Sequence, residues 1–157
     1  MTLWRISHHR DLTGAGGRKV PGRWHHAGQP VVYLAQSPAA ALLQVCVHTS
    51  ANDVPPEFTL RKIEGPDPKF SVITLDDLPE NWRSRLEVTR NPGMVWLQKK
   101  ESVLLQIPRA IVPETGNFLL NPIHPDAKRF RIAGAGQATV RKVLTVATRS
   151  GPSSLCE

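Results

Sequence analysis

Residues 22–46 read GRWHHAGQPVVYLAQSPAAALLQVC, and this stretch decides the architecture. An arginine-bearing loop leads into a short apolar strand with one tyrosine, and the strand leads into an Ala/Leu-rich helix. Residues 31–35 are apolar enough for a buried strand. Ser37-Pro38 then starts a helix that runs to about His48: the serine hydroxyl caps free amides, and proline suits the first turn. Leu42, Leu43 and Cys46 are its expected core contacts. When loop, strand and helix fold onto one another, Arg23, Tyr33 and Gln44 come together. A guanidinium fork beside an aromatic hydroxyl and an amide suits an anionic, ring-bearing ligand.

Outward from this block the chain mixes element types. Residues 3–7 read as a strand with Trp4 and Ile6 on one face and Arg5 on the other. Residues 13–17, TGAGG, read as a flexible loop. They lack the strand–turn–helix order of a phosphate or dinucleotide fingerprint. Residues 58–63 alternate apolar and polar as a half-buried strand does, and 71–75 are another strand. Leu78-Pro79 opens a second helix through Trp82 and Leu86 to Arg90, which Asn91-Pro92-Gly93 breaks. Residues 94–99 form a short helix, 103–107 a core strand ended by Pro108, and 117–120 another strand. Asn121-Pro122 and His124-Pro125 hold an extended loop. Without regular βαβ alternation, the pattern predicts an α+β fold.

After Arg131 the composition shifts to small residues with no aromatic. Val140, Val143, Leu144 and Val146 suit a strand or a weak helix, and the Ser-Gly-Pro-Ser-Ser end reads as disordered. The expected organisation is one domain over 1–131 and a basic segment over 132–157. The chain has 157 residues, 40% hydrophobic and 21% charged, as an ordinary globular domain does. Its apolar runs are too short to span a bilayer. The opening MTLWRISHHR has no apolar core after its charges, so it does not read as a signal peptide. Two cysteines, Cys46 and Cys156, give no disulfide framework. A cytoplasmic protein is the simplest expectation.

The formal charge is +7, but residues 1–126 hold 14 basic and 12 acidic side chains, and 127–157 hold 6 and 1. The excess lies in the C-terminal segment. Such a tail binds anionic surfaces or nucleic acid without sequence preference. No recognition helix, zinc-finger spacing or aromatic RNA signature accompanies it, so direct nucleic-acid binding is not expected. His8-His9 and His25-His26 are adjacent pairs that rarely converge on one ion, and no metal site is expected. Taken alone, Arg5 reads as a surface salt-bridge residue, Arg23 as a loop residue stacked on an indole, Tyr33 as core and Gln44 as a solvated helix position.

Several pieces together resemble the RES-domain family, the toxin half of bacterial toxin–antitoxin pairs. They are the opening LWRIS, the PGRWHHAGQPVVYLAQSPAAALLQVCVH block, VLLQIPRAIVPETGNFLLNP and the closing HPD, in the family's order over residues 3–131. The resemblance implies an ADP-ribosyltransferase-like fold, a twisted β core with flanking helices. It implies action on NAD⁺ as substrate, with no prosthetic group, by hydrolysis of the nicotinamide–ribose bond or by ADP-ribose transfer. It implies an Xre-type antitoxin with a helix-turn-helix domain as partner, and family analogy admits a homodimer.

The resemblance also assigns residues. Arg5 and Arg23 match the family's pocket arginines, and Tyr33 matches its strand tyrosine. Gln44 stands where the family has a glutamate. A glutamine still hydrogen-bonds a ribose hydroxyl but carries no charge. Losing one well-placed electrostatic group costs about 3–4 kcal/mol, roughly 10²–10³ in rate. Arg109 stands where the family has a serine, opposing a ribose cation or holding a phosphate. The segment after 131 also departs from the family pattern. The alternatives are therefore a catalytically inactive RES-fold protein that still binds its antitoxin, and a binder of anionic surfaces through the basic tail.

Overall fold

Strand β2 (Val32–Ala35) is buried as its sequence predicts: Val32, Leu34 and Ala35 are each 0% exposed. The computed structural model describes residues 1–48, 58–110 and 115–138. Among these, β2 lies inside a seven-stranded sheet of order β4-β5-β6-β2-β1-β3-β7. The other strands are β1 (Thr2–Ile6), β3 (Phe58–Glu64), β4 (Ser71–Val72), β5 (Leu104–Pro108), β6 (Gly116–Leu120) and β7 (Arg131–Ala138). All neighbours run antiparallel except the parallel pair β4–β5. The α-helices among the described residues are α1 (Ala15–Lys19), α2 (Pro38–His48) and α3 (Leu86–Lys99), and a 3-10 helix at Pro125–Arg129 stands where His124-Pro125 suggested an extended loop. The fold is α+β, as predicted. No helix among the described residues is long and apolar enough to cross a membrane.

Side chains alternate across the sheet with the period of two that strands impose. Val32, Leu34, Leu104, Phe118 and Leu120 join one core cluster with Leu3, Ile63 and Phe130. Leu105, Ile107 and Leu119 face the other way and pack with Trp24, Trp82, Trp96 and Leu97. Tyr33 borders this second cluster. The first cluster anchors the sheet, and the second supports the loop that precedes β2.

Helix α2 begins as its sequence predicts, with the Ala40 N–H donating to Ser37 Oγ at 3.2 Å. Its expected core contacts differ from those observed. Ala41 is the buried residue, whereas Leu43 is 37% exposed. Leu43 instead lines the cavity described below. The Cys46 side chain lies outside the described residues.

Three further expectations are corrected. Residues 13–17 are not a flexible loop, because α1 starts at Ala15 behind Gly14, whose φ is 73°. A Cβ on Gly14 would stand 2.6 Å from the Val31 N, so this glycine serves close packing as well as a left-handed turn. No helix spans 78–90. Residues 75–85 form successive turns, with Leu78, Trp82 and Arg85 donating to carbonyls three residues back. Asn91-Pro92-Gly93 does not break the chain either, since α3 runs through it with Pro92 inside. Gly93 is there to admit a neighbouring backbone.

Strand β7 crosses the expected boundary at 131. Its backbone pairs with β3 from Glu64–Arg131 to Phe58–Ala138. Gly134 and Gly136 are poor strand formers, so this edge strand is held by its ladder to β3 and not by packing at those positions. Residues 139–157, with the valines and the Ser/Gly/Pro end discussed above, lie outside the described residues.

Candidate functional site

The loop before β2 is fixed by α3, carbonyl by carbonyl. Arg90 Nε donates to Gly22 O at 3.0 Å. Thr89 Oγ1, 0% exposed, donates to Arg23 O at 2.6 Å. The Trp24 carbonyl fills the space that a Cβ on Gly93 would occupy. The loop closes on itself through Gly22 N–H to His25 O at 3.1 Å. Buried backbone groups are thus paired, which is what holds an irregular segment in one conformation.

The Arg23 guanidinium donates to Arg83 O at 3.0 Å and more weakly to Trp82 O at 3.4 Å. Its carbon lies 5.7 Å from the Trp82 ring centroid, so the indole it stacks on is Trp82 rather than its neighbour Trp24. Burial pulls its pKa down, with Arg90 acting in the same direction.

Tyr33 is held by two bonds. The Trp24 N–H donates to its hydroxyl at 3.1 Å, and His25 Nδ1 lies 3.0 Å from the same oxygen. His25 Nε2 lies 3.1 Å from Gly17 O. A carbonyl only accepts, so Nε2 carries the hydrogen. His25 is 2% exposed, and burial lowers its pKa, which favours the neutral ring. Nδ1 is then an acceptor, and the Tyr33 hydroxyl donates to it. Burial pushes the Tyr33 hydroxyl pKa up to about 12, so it stays a neutral donor. Tyr33→Phe should remove this joint and strand the Trp24 N–H and His25 Nδ1. The expected loss is about 1–3 kcal/mol of stability. Urea unfolding checks it; an unchanged midpoint would show that the joint carries no load.

Arg5, on β1, donates to Ser7 Oγ at 2.9 Å. Burial lowers its pKa to about 10; Asp11 partly offsets this, and Arg61, directly across the β1–β3 ladder, adds to it. Arg109 follows β5 and is 9% exposed. Its Nε donates to Asn117 Oδ1 at 2.8 Å, whereas its Nη2 is buried with no hydrogen-bond partner among the described residues. Burial alone lowers its pKa.

Arg5, Arg23, Tyr33, Gln44 and Arg109 all line one cavity of about 610 Å³. Its walls are α1, the 20–25 loop, β2, one face of α2, and the end of β5 with Asn117. Such a volume is typical of small-molecule sites. The sequence missed His25, Trp82, Thr89, Arg90 and Asn117 as parts of this arrangement. His25 lay within the decisive block, but nothing local showed that it faces Tyr33. Among the described residues no group of three His, Cys, Asp or Glu side chains could hold a metal.

The RES domain family model matches residues 2–142. The toxin Res of Pseudomonas putida KT2440 is 46% identical over 134 residues, covering 84% of this chain and 92% of the relative. The Prs ADP-ribosylating toxin of a Sphingobium species is 38% identical over 138 residues, covering 81% and 86%. Among solved structures, the Mycobacterium tuberculosis MbcT–MbcA toxin–antitoxin complex contains a chain with TM-score 0.74 and 17% identity, covering 94% of this chain and 88% of that one. This last likeness concerns the fold alone.

Proposed function

The chain belongs to the RES-domain family, and from that premise we propose that it is the toxin of a toxin–antitoxin pair that consumes NAD⁺. The reaction cleaves the nicotinamide–ribose bond, passing ADP-ribose to water or to a protein. NAD⁺ is the substrate, and no prosthetic group is invoked. The partner is an Xre-type antitoxin whose body covers the cavity. The observation that carries this reading is the convergence of Arg5, Arg23, Tyr33 and Gln44, predicted as a set, on one cavity.

In this reading Arg5 and Arg23 bind the diphosphate, because guanidinium forks match paired phosphate oxygens. The ring of Tyr33 borders the nicotinamide or ribose; its hydroxyl proton is already committed to His25, so Tyr33 orients rather than donates. Gln44 hydrogen-bonds a ribose hydroxyl. As the bond breaks, positive charge spreads over the ribose ring, and electrons leave with neutral nicotinamide. A carboxylate at position 44 would stabilise that charge, whereas the amide of Gln44 does so only as a dipole.

The test is nicotinamide release from NAD⁺ by the purified protein, followed by chromatography. Slow release above background is expected, along with growth arrest on expression that the antitoxin reverses. A second reading, an inactive RES-fold protein that only binds antitoxin, is favoured by one observation: the described residues lining the cavity include no Asp or Glu. Turnover above background excludes that second reading. Antitoxin binding without turnover or arrest establishes it.

A further inference from the structure

The cavity wall carries three cations and, among the described residues, no anion. Arg5, Arg23 and Arg109 are its charged side chains. Arg5 has one counter-charge nearby, the exposed Asp11 carboxylate, whereas Arg23 and Arg109 have no Asp or Glu partner among the described residues. Arg5 pairs in register with Arg61 across the β1–β3 ladder, and like charges placed opposite one another repel. Among the described residues Arg23 donates to the Trp82 and Arg83 carbonyls, and a second guanidinium, Arg90 on α3, holds the adjacent Gly22 carbonyl. Arg109 is the sharpest case. It is 9% exposed, one edge is fixed on Asn117 Oδ1, and Nη2 has no acceptor among the described residues. An unpaired buried guanidinium is costly, and an anion that brings acceptor oxygens relieves that cost.

Resting on the NAD⁺ reading above, we propose that this cavity selects the dianionic ADP-ribose over NAD⁺ itself, with Arg109 as a resident partner for the diphosphate. Both ligands carry the diphosphate, but only NAD⁺ also carries the positive nicotinamide ring. That ring would enter a cavity whose described charged side chains are three guanidiniums, with no described carboxylate to meet it. Cleavage removes the ring charge and leaves ADP-ribose, so the product is held more tightly than the substrate. ADP-ribose therefore competes with NAD⁺.

Calorimetric titration of the full chain with NAD⁺, NADH and ADP-ribose tests this. NADH has the bulk of NAD⁺ but an uncharged ring, so it separates charge from size. ADP-ribose and NADH should each bind roughly tenfold more tightly than NAD⁺, as a cation brought near an uncompensated guanidinium predicts. The gap should narrow in high salt. Arg109→Gln should weaken ADP-ribose by about ten- to a hundredfold, the scale of one charged hydrogen-bond pair, and Arg109→Lys should recover part of it. NAD⁺ binding as tightly as ADP-ribose overturns the inference and leaves the NAD⁺ reading standing. NADH binding only as well as NAD⁺ also overturns it, because size would then explain the preference. Binding of none of the three overturns both. ADP-ribose affinity unchanged in both Arg109 variants would overturn the role of Arg109, and the wild-type comparison decides the preference for ADP-ribose.

Discussion

Gln44→Glu should raise the rate of nicotinamide release by about 10²–10³-fold, the scale set by one well-placed electrostatic group. The new carboxylate would arise on α2, whose start is fixed by the Ser37 cap and whose contact with the sheet is fixed by buried Ala41. No repacking is required, because Gln44 already lines the cavity and glutamate has nearly the same shape. Arg5, Arg23 and Arg109 line the same space, and nearby positive charge keeps a carboxylate ionised at neutral pH. The substitution therefore supplies the one kind of charge that the described wall lacks, where positive charge develops on the ribose. It should also raise NAD⁺ affinity relative to ADP-ribose. Single-turnover assays of nicotinamide release, compared between parent and variant, decide the matter. A variant that binds ADP-ribose but releases nicotinamide no faster would show that position 44 does not face the ribose.

The parts of the fold legible in the sequence are those set by local physics. Alternation marked β3, the apolar run marked β2, and Ser37-Pro38 marked the start of α2 to the residue. Where the reading failed, a long-range contact overrode a local rule. Asn91-Pro92-Gly93 looked like a break because proline and glycine disfavour helix, yet α3 continues through them to meet the Trp24 carbonyl. The helix expected from Leu78-Pro79 to Arg90 begins only at Leu86, and the residues before it are turns. Trp82 is instead buried beside Trp24, and Arg23 takes the Trp82 and Arg83 carbonyls. The candidate site divides in the same way. Arg5, Arg23, Tyr33, Gln44 and Arg109 could be named through a family resemblance that spans the whole pattern. The His25–Tyr33 joint and the clamp from α3 could not, because they join residues up to 68 positions apart through hydrogen bonds that no local motif records.

Gly93→Ala tests that clamp, with a large expected effect on stability. In an ordinary exposed helix the change would stabilise by about 1 kcal/mol, because alanine has the better helix propensity. Here the added methyl would overlap the Trp24 carbonyl oxygen and crowd the carbonyl carbon at 3.0 Å. Those atoms are backbone, in a loop whose neighbouring carbonyls are tied to Thr89 and Arg90. Neither side can yield without breaking buried bonds, so the overpacking cost stands at or just above the top of the usual range, about 3–4 kcal/mol. The net loss should be about 2–3 kcal/mol, a fall of about 5–10 °C in Tm for a domain of this size. Displacing the Trp24 backbone also moves the N–H that holds Tyr33, so NAD⁺ affinity should fall along with stability. Gly136→Ala is the control, since a Cβ there meets nothing within 4 Å. That variant should match or slightly exceed the parent, as glycine inside a strand carries an entropic cost of roughly 0.5–1 kcal/mol. Thermal unfolding of both variants separates the two cases. If Gly93→Ala unfolded no earlier than Gly136→Ala, the close approach of α3 to the Trp24 carbonyl would not be what positions the loop, and the role assigned to Gly93 would be wrong.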